Sequence, residues 1–160
     1  MPERPIAITF DDGDLDVYEN AFPIMQSLGF TGTIFVVTKY IDPPGFMSTS
    51  QITELLQAGW ELGSHGRSHI DLTKTSDAES EITFSKSHLE QKFNTTVNFI
   101  AYPYGEINPD IIRMTIDARY QGGAGLGTRW EHMPYDVYYI NRIEIKHGTP
   151  LEKFNAMLPW

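Results

Sequence analysis

Two spacings of apolar residues alternate along this chain, and each switch from one to the other marks an element. Residues 6–10 form a short β-rich run, and 33–37 (TIFVV) is continuously apolar, as a strand covered on both faces requires. Residues 60–63 and 97–101 (VNFIA) read as further strands, and 138–145 (YYINRIEI) alternates as one. Helical patterns fill the gaps. Residues 17–28 predict a helix closed by Gly29, with a kink at Pro23. Ser48 and Gln51 make a capping-box pattern ahead of Ile52, Leu55 and Leu56, which share one helical face. Ser76 and Glu79 make a second, opening a helix over 77–93. Asn108 and Pro109 mark another helix start, with Ile111, Ile112, Thr115 and Ile116 on its buried side. Thr149 and Pro150 open a last helix through Phe154 and Leu158. The glycine-rich stretch 121–135 predicts irregular structure, and no repeat or linker interrupts the series. The 160 residues therefore read as one domain, 1–160.

Strands that alternate with helices are parallel strands joined by helical crossovers. An open doubly wound sheet and a closed barrel both satisfy that order. Both gather ligands at the carboxyl ends of their strands. The unusual polar clusters fall at such ends: Asp11-Asp12 after the first strand, Ser64-His65 after the third, and Tyr102 to Gly105 after the fourth. The coincidence points to one shared site.

Two adjacent carboxylates raise each other's pKa unless a cation intervenes, so Asp11 and Asp12 call for a positive partner. His65 and His69, four residues apart with Gly66 between, can present both imidazoles on one side of a compact turn. Neutral imidazoles with one carboxylate make a three-ligand open site for Zn²⁺, Fe²⁺, Co²⁺ or Ni²⁺. Either aspartate could be the third ligand on this reading. Composition removes other classes. A formal charge of −9 argues against nucleic acid or an anionic membrane as partner. No apolar run reaches the length of a membrane span. Within MPERPIAITF no basic region precedes an apolar core, so no signal peptide is expected there, and location stays open. The chain has no cysteine, which excludes disulfides and thiolate ligands.

These motifs resemble those of a known family. Thr9-Phe10-Asp11-Asp12-Gly13 is similar to the first motif of the polysaccharide deacetylases, the NodB-homology carbohydrate esterases. Ser64-His65-Gly66-Arg67-Ser68-His69 resembles their second, and Ala101-Tyr102-Pro103-Tyr104-Gly105 their third. The third has the YPYG form of a branch that includes poly-N-acetylglucosamine deacetylases. The resemblance runs from about Ile6 to Phe154. It implies an irregular (β/α)7 barrel and hydrolysis of N-acetyl or O-acetyl groups on a poly- or oligosaccharide. By position it makes Asp12, His65 and His69 the ligands of one divalent ion, Zn²⁺ first, with Co, Ni, Fe or Mn as alternatives. Asp11 becomes the base that takes a proton from a water acidified by the ion. The main-chain N–H of Tyr104 becomes a donor to the oxyanion. Tyr102, Pro103, Tyr104, Gly105 and Trp130 are the expected substrate contacts.

The sequence departs from the family pattern in three places. The arginine usual in the third motif is replaced near Ala101, and Arg142, in the last predicted strand, is expected to pair with Asp11 instead. The late Leu-x-His motif has only Ile145-Lys146-His147 as a near match, making His147 the expected general acid and His132 its rival. The aspartate-tryptophan motif that steadies that histidine is not recognisable. Two alternatives follow from the missing acid: an acetyl (xylan) esterase in the same fold, and a carbohydrate-binding domain with little catalysis. Of the remaining residues, His88 reads as surface, Trp60 as core, Tyr135 as a further stacking candidate, and Arg67 as a contact of the site or a solvated loop residue.

Overall fold

Each strand joins the sheet beside the one before it. In the computed structural model, which describes residues 5–129 and 131–158, five parallel strands pair in chain order. They are β1 (Thr9–Phe10), β2 (Thr33–Val36), β3 (Glu61–Ser64), β4 (Phe99–Ala101) and β5 (Gly122–Ala124). Right-handed crossovers that never reverse direction put all the helices on one face. The opposite face has to be covered by the sheet's own side chains, so the sheet curls. That decides between the two architectures in favour of the (β/α) barrel, with five regular strands among the described residues rather than seven.

Both faces of the strands are buried, as the apolar runs predict. Ile34, Val36, Leu62 and Ile100 join the large core with Ile52, Leu55, Ile82 and Leu89 from the helices. Phe35, Phe99, Ala101 and Ala124 fill the inside of the curl. Phe35 takes space that the neighbouring strand gives up: a Cβ on Gly63 would lie 2.3 Å from its ring.

The helices follow the predicted signals with three differences. The first begins as a π-turn over Val17–Ala21 and becomes α1 only at Phe22–Ser27, because Pro23 lacks the N–H that a regular helix would use. The Ser48 and Gln51 capping box forms at the start of α2 (Thr49–Gln57). The second box does not. The next helix, α3 (Ala78–Phe93), is preceded by Asp77, which makes no side-chain cap, and Thr75 Oγ1 accepts from the Asp77 N–H instead. Asn108 caps α4 (Pro109–Asp117) by accepting from the Asp110 and Ile111 N–H groups. There Ile111 and Thr115 are buried, but Ile116, expected inside, is 46% exposed. The last helix, α5 (Leu151–Met157), has no buried residue.

Two strand expectations are corrected. Residues 122–124, inside the stretch expected to be irregular, form β5. Residues 138–145, expected to form a strand, run beside β5 but reach ladder geometry only where Ile140 meets Ala124. Further bonds join the two, from Gly123 N to Val137 O, Gly125 N to Ile140 O and Gly127 N to Arg142 O.

Candidate active site

At the end of β1 the chain makes a tight turn, with the Gly13 N–H donating to Asp11 O at 2.8 Å. Asp12 takes φ +68° and Gly13 φ +90°. Aspartate is among the few side chains that tolerate the left-handed region. The turn splits the two carboxylates. Asp11 pairs with Arg142 while its Oδ2 stays 3.8 Å from His65 Nε2, and Asp12 lies against both histidines.

His65 follows β3 directly and is 3% exposed. Its Nδ1 lies 2.8 Å from Ala101 O. A carbonyl only accepts, so Nδ1 carries the proton and Nε2 offers a lone pair. Burial holds the His65 pKa below its usual value, against the opposing pull of Asp11, so the ring is neutral near pH 7. His65 Nε2 lies 3.8 Å from Asp12 Oδ1, and His69 Nε2 lies 3.4 Å from the same oxygen. His69 is also left-handed, at φ +55°.

Arg142 reaches Asp11 by a bidentate pair, Nη1 to Oδ1 at 2.6 Å and Nη2 to Oδ2 at 2.8 Å. Its Nη1 also donates to Thr9 Oγ1 and its Nε to Gly125 O, both at 3.2 Å. Burial alone would raise the Asp11 pKa. The Arg142 hydrogen bonds and charge oppose it, and the carboxyl is held below the ordinary value.

The third motif contributes one exposed side chain. Tyr104, at φ +62°, is 58% exposed; its ring lies 4.7 Å from that of His69, and its hydroxyl donates to His69 O at 3.4 Å. Pro103 and Gly105 are buried. Tyr102 is buried too, its hydroxyl on Thr115 Oγ1 and Tyr138 O, so the expected side-chain contact with substrate is replaced by packing. His147 is exposed in a turn, and His132 is exposed beside a shallow apolar hollow with Met133 and Val137. Neither is hydrogen-bonded or ion-paired to a site residue among the described residues, so nothing ties the expected acid to the centre. Trp130 lies outside the described residues. Trp60 is core, stacked on Phe10, and His88 stacks on Phe84, whose ring also lies under the Arg67 guanidinium.

One group went unnoticed in the sequence. Glu81, on α3, is buried and hydrogen-bonded to the loop that carries His69. A carboxylate in helical register with Ala78, Ile82 and Ser85 was the available signal.

The donor set fits a divalent cation. One atom from each of Asp12, His65 and His69 can be chosen so that all lie within 4.8 Å of one another. Asp12 Oδ1 is buried and has no hydrogen-bond partner among the described residues. A carboxylate oxygen thus faces imidazole nitrogens, one of which has its proton on the far side. Buried acceptors turned toward each other without a donor are unfavourable, and a cation between them removes the conflict. No helix among the described residues is long and apolar enough to cross a membrane.

Comparison with known proteins agrees with this geometry. The family model described as polysaccharide deacetylase matches residues 1–123. A putative polysaccharide deacetylase of Bacillus subtilis is 27% identical across 98% of this chain and 57% of its own length. A poly-β-1,6-N-acetyl-D-glucosamine N-deacetylase of Staphylococcus aureus is 30% identical across 91% of this chain and 56% of its own. The chain therefore spans little more than half the length of these relatives. A deacetylase of Streptococcus pyogenes, solved in complex with acetate, superimposes with a TM-score of 0.89 at 25% identity, over 99% of this chain and 73% of that one. The fold, the three motifs and the family match converge: this chain belongs to the polysaccharide deacetylase family.

Proposed function

We propose that this domain is a divalent-metal-dependent deacetylase that hydrolyses N-acetyl groups on an N-acetylglucosamine polymer or oligomer. The observation that carries the reading is the meeting of two arrangements at one barrel mouth. Asp12, His65 and His69 turn acceptor atoms toward a common point, and Asp11 stands beside them ion-paired to Arg142. The substrate class comes from the Staphylococcus aureus relative, whose name specifies poly-β-1,6-N-acetyl-D-glucosamine.

Asp12, His65 and His69 would hold the ion. Its chemistry would be that of a Lewis acid, acidifying a water and drawing electron density from the acetyl carbonyl. The chain's own groups do the rest. Asp11, kept ionised by Arg142, takes a proton from the attacking water, and the bidentate guanidinium fixes the direction of its oxygens. The Ala101 carbonyl holds His65 in the tautomer whose Nε2 points inward. Tyr104 forms an aromatic wall beside His69 on which an acetylated sugar can rest. Water adds across the amide, its oxygen to the acyl carbon and a proton to the departing amine.

A second reading, hydrolysis of O-acetyl esters, is favoured by the solvent exposure of both His147 and His132. An alcohol leaves with less help than an amine. Acetate release by the Zn²⁺-loaded protein separates the readings. Release from N-acetylglucosamine oligomers, lost on chelation, is the expected result. Release from aryl or sugar acetates alone supports the esterase, and glycan binding without acetate supports the binding domain. Activity that survives complete removal of metal sinks the metal-dependent reading.

A further inference from the structure

We infer that Glu81 is a positioning residue for the metal centre: its carboxylate holds the loop between His65 and His69 in the shape that turns both rings toward Asp12. Glu81 comes from the first turn of α3 and is 6% exposed. Its Oε2 accepts from the Arg67 and Ser68 N–H groups, both at 2.9 Å, and its Oε1 from Ser68 Oγ at 2.6 Å. No lysine or arginine pairs with it among the described residues. Burying a carboxylate without a cation is costly. Here the charge is met by two backbone N–H groups, a hydroxyl and the positive end of a helix.

The loop needs such a tether. It has no regular secondary structure, and two of its residues, Gly66 at φ +78° and His69 at φ +55°, lie in the left-handed region. A histidine stays there only where its surroundings over-determine it. The loop's carbonyls are held from the β2 side: Thr38 N–H donates to Gly66 O, and Lys39 N–H to Arg67 O. Its amides are held from the α3 side by Glu81 alone at Arg67 and Ser68. Glu81 therefore bonds the backbone between the two histidines and neither ring. Its effect on the metal comes through the position of His69 relative to His65 and Asp12.

The inference rests on the metal reading above, and the experiment distinguishes its failure from the failure of that reading. Zn²⁺ affinity is measured by chelator competition for the wild type, Glu81→Ala, Glu81→Asp and Glu81→Gln. Amide hydrogen exchange at Arg67 and Ser68 is followed in the metal-free proteins. Glu81→Ala is expected to weaken affinity about tenfold or more, the cost of losing a group that orients ligands, and to speed exchange at both amides. Glu81→Asp, one methylene too short, should do the same. Glu81→Gln should stay close to wild type, because its carbonyl oxygen can accept from both N–H groups. Leu89→Ala, buried about two turns further along the same helix, should lower stability and leave affinity unchanged. Should Glu81→Ala fail to fold, Glu81→Asp decides. Wild-type affinity in the Ala or Asp variant, or an equal loss in Leu89→Ala, overturns the inference. Wild-type protein that binds no divalent metal overturns the metal reading and this inference together.

Discussion

Asp11 and Asp12 are neighbours in sequence with different surroundings. Asp12 has an oxygen with no proton donor, and Asp11 has both oxygens on a guanidinium. Their variants should differ accordingly. Asp11→Asn is expected to bind Zn²⁺ as wild type does and to lose about 10²–10⁴-fold in rate, the usual contribution of a general base. Asp12→Asn should lose affinity for the metal itself. Equal metal loss in both would make the pair a joint ligand. Arg142 also gives Asp11 a pH signature. The folded-state pKa of Asp11 is lowered, so the ionised base and its ion pair persist above the unfolded value and are lost only as pH falls through the lowered one. Burial is already the largest single influence and pushes that pKa up; without the guanidinium its main opponent is gone and the pKa rises. Arg142→Ala should therefore move the acidic limb of the pH–rate profile upward and depress the rate, with metal retained. An unchanged profile would leave Arg142 without this role.

Among the elements, β5 shows how a strand forms without β-forming side chains. Its sequence is Gly-Gly-Ala, and rings from elsewhere occupy the space its side chains would fill. A Cβ on Gly123 would lie 2.2 Å from the Tyr102 hydroxyl, and one on Gly122 would lie 2.8 Å from the Phe99 ring. Gly123→Ala is expected to destabilise by about 1–3 kcal/mol, the range for overpacking a filled core, seen as a lower urea midpoint with an unchanged m-value. A neutral effect would mean that Tyr102 moves freely. At α2 the reciprocal bonds between Ser48 and Gln51 are local and separable. Ser48→Ala should cost about 1 kcal/mol in thermal or chemical denaturation.

For the whole molecule, closure of the curled sheet depends on a side chain. Among the described residues β1 and the run after β5 are not joined by backbone pairing, yet Arg142 bonds Thr9 and Asp11 on one side and Gly125 on the other. The ion pair proposed for catalysis is thus also a latch between the two ends of the sheet. The proposed centre is similarly spread, with Asp12 on the turn after β1 and both histidines after β3. Binding a metal to the native state alone adds stability, about 2.7 kcal/mol at a free concentration one hundred times Kd. Zn²⁺ should therefore raise the thermal midpoint and chelator should reverse it, and His69→Ala should abolish the increment without unfolding the apo-protein. An equal Zn²⁺ shift in His69→Ala would place the metal elsewhere.

The sequence by itself determined what depends on local order. Periodic apolar runs gave four of the strands; Ser48 and Asn108 marked two helix starts; Asp11-Asp12 and His65 to His69 could be picked out as reactive residue types at strand ends, and Arg142 as the basic residue within the last expected strand. Signals of that kind survive in one dimension because they rest on neighbours a few residues apart. The tertiary structure decided what depends on partners far along the chain. Gly122 and Gly123 became a strand because Phe99 and Tyr102 supply the missing side chains, and 138–145 meets β5 in ladder geometry only at Ile140. Tyr102 turned into the core because Thr115 and the Tyr138 carbonyl could take its hydroxyl there. Glu81 looked like an ordinary helix carboxylate until folding placed two loop amides against it. A single residue carries no record of which distant group will meet it; that is fixed only when the barrel curls and its loops gather at one end.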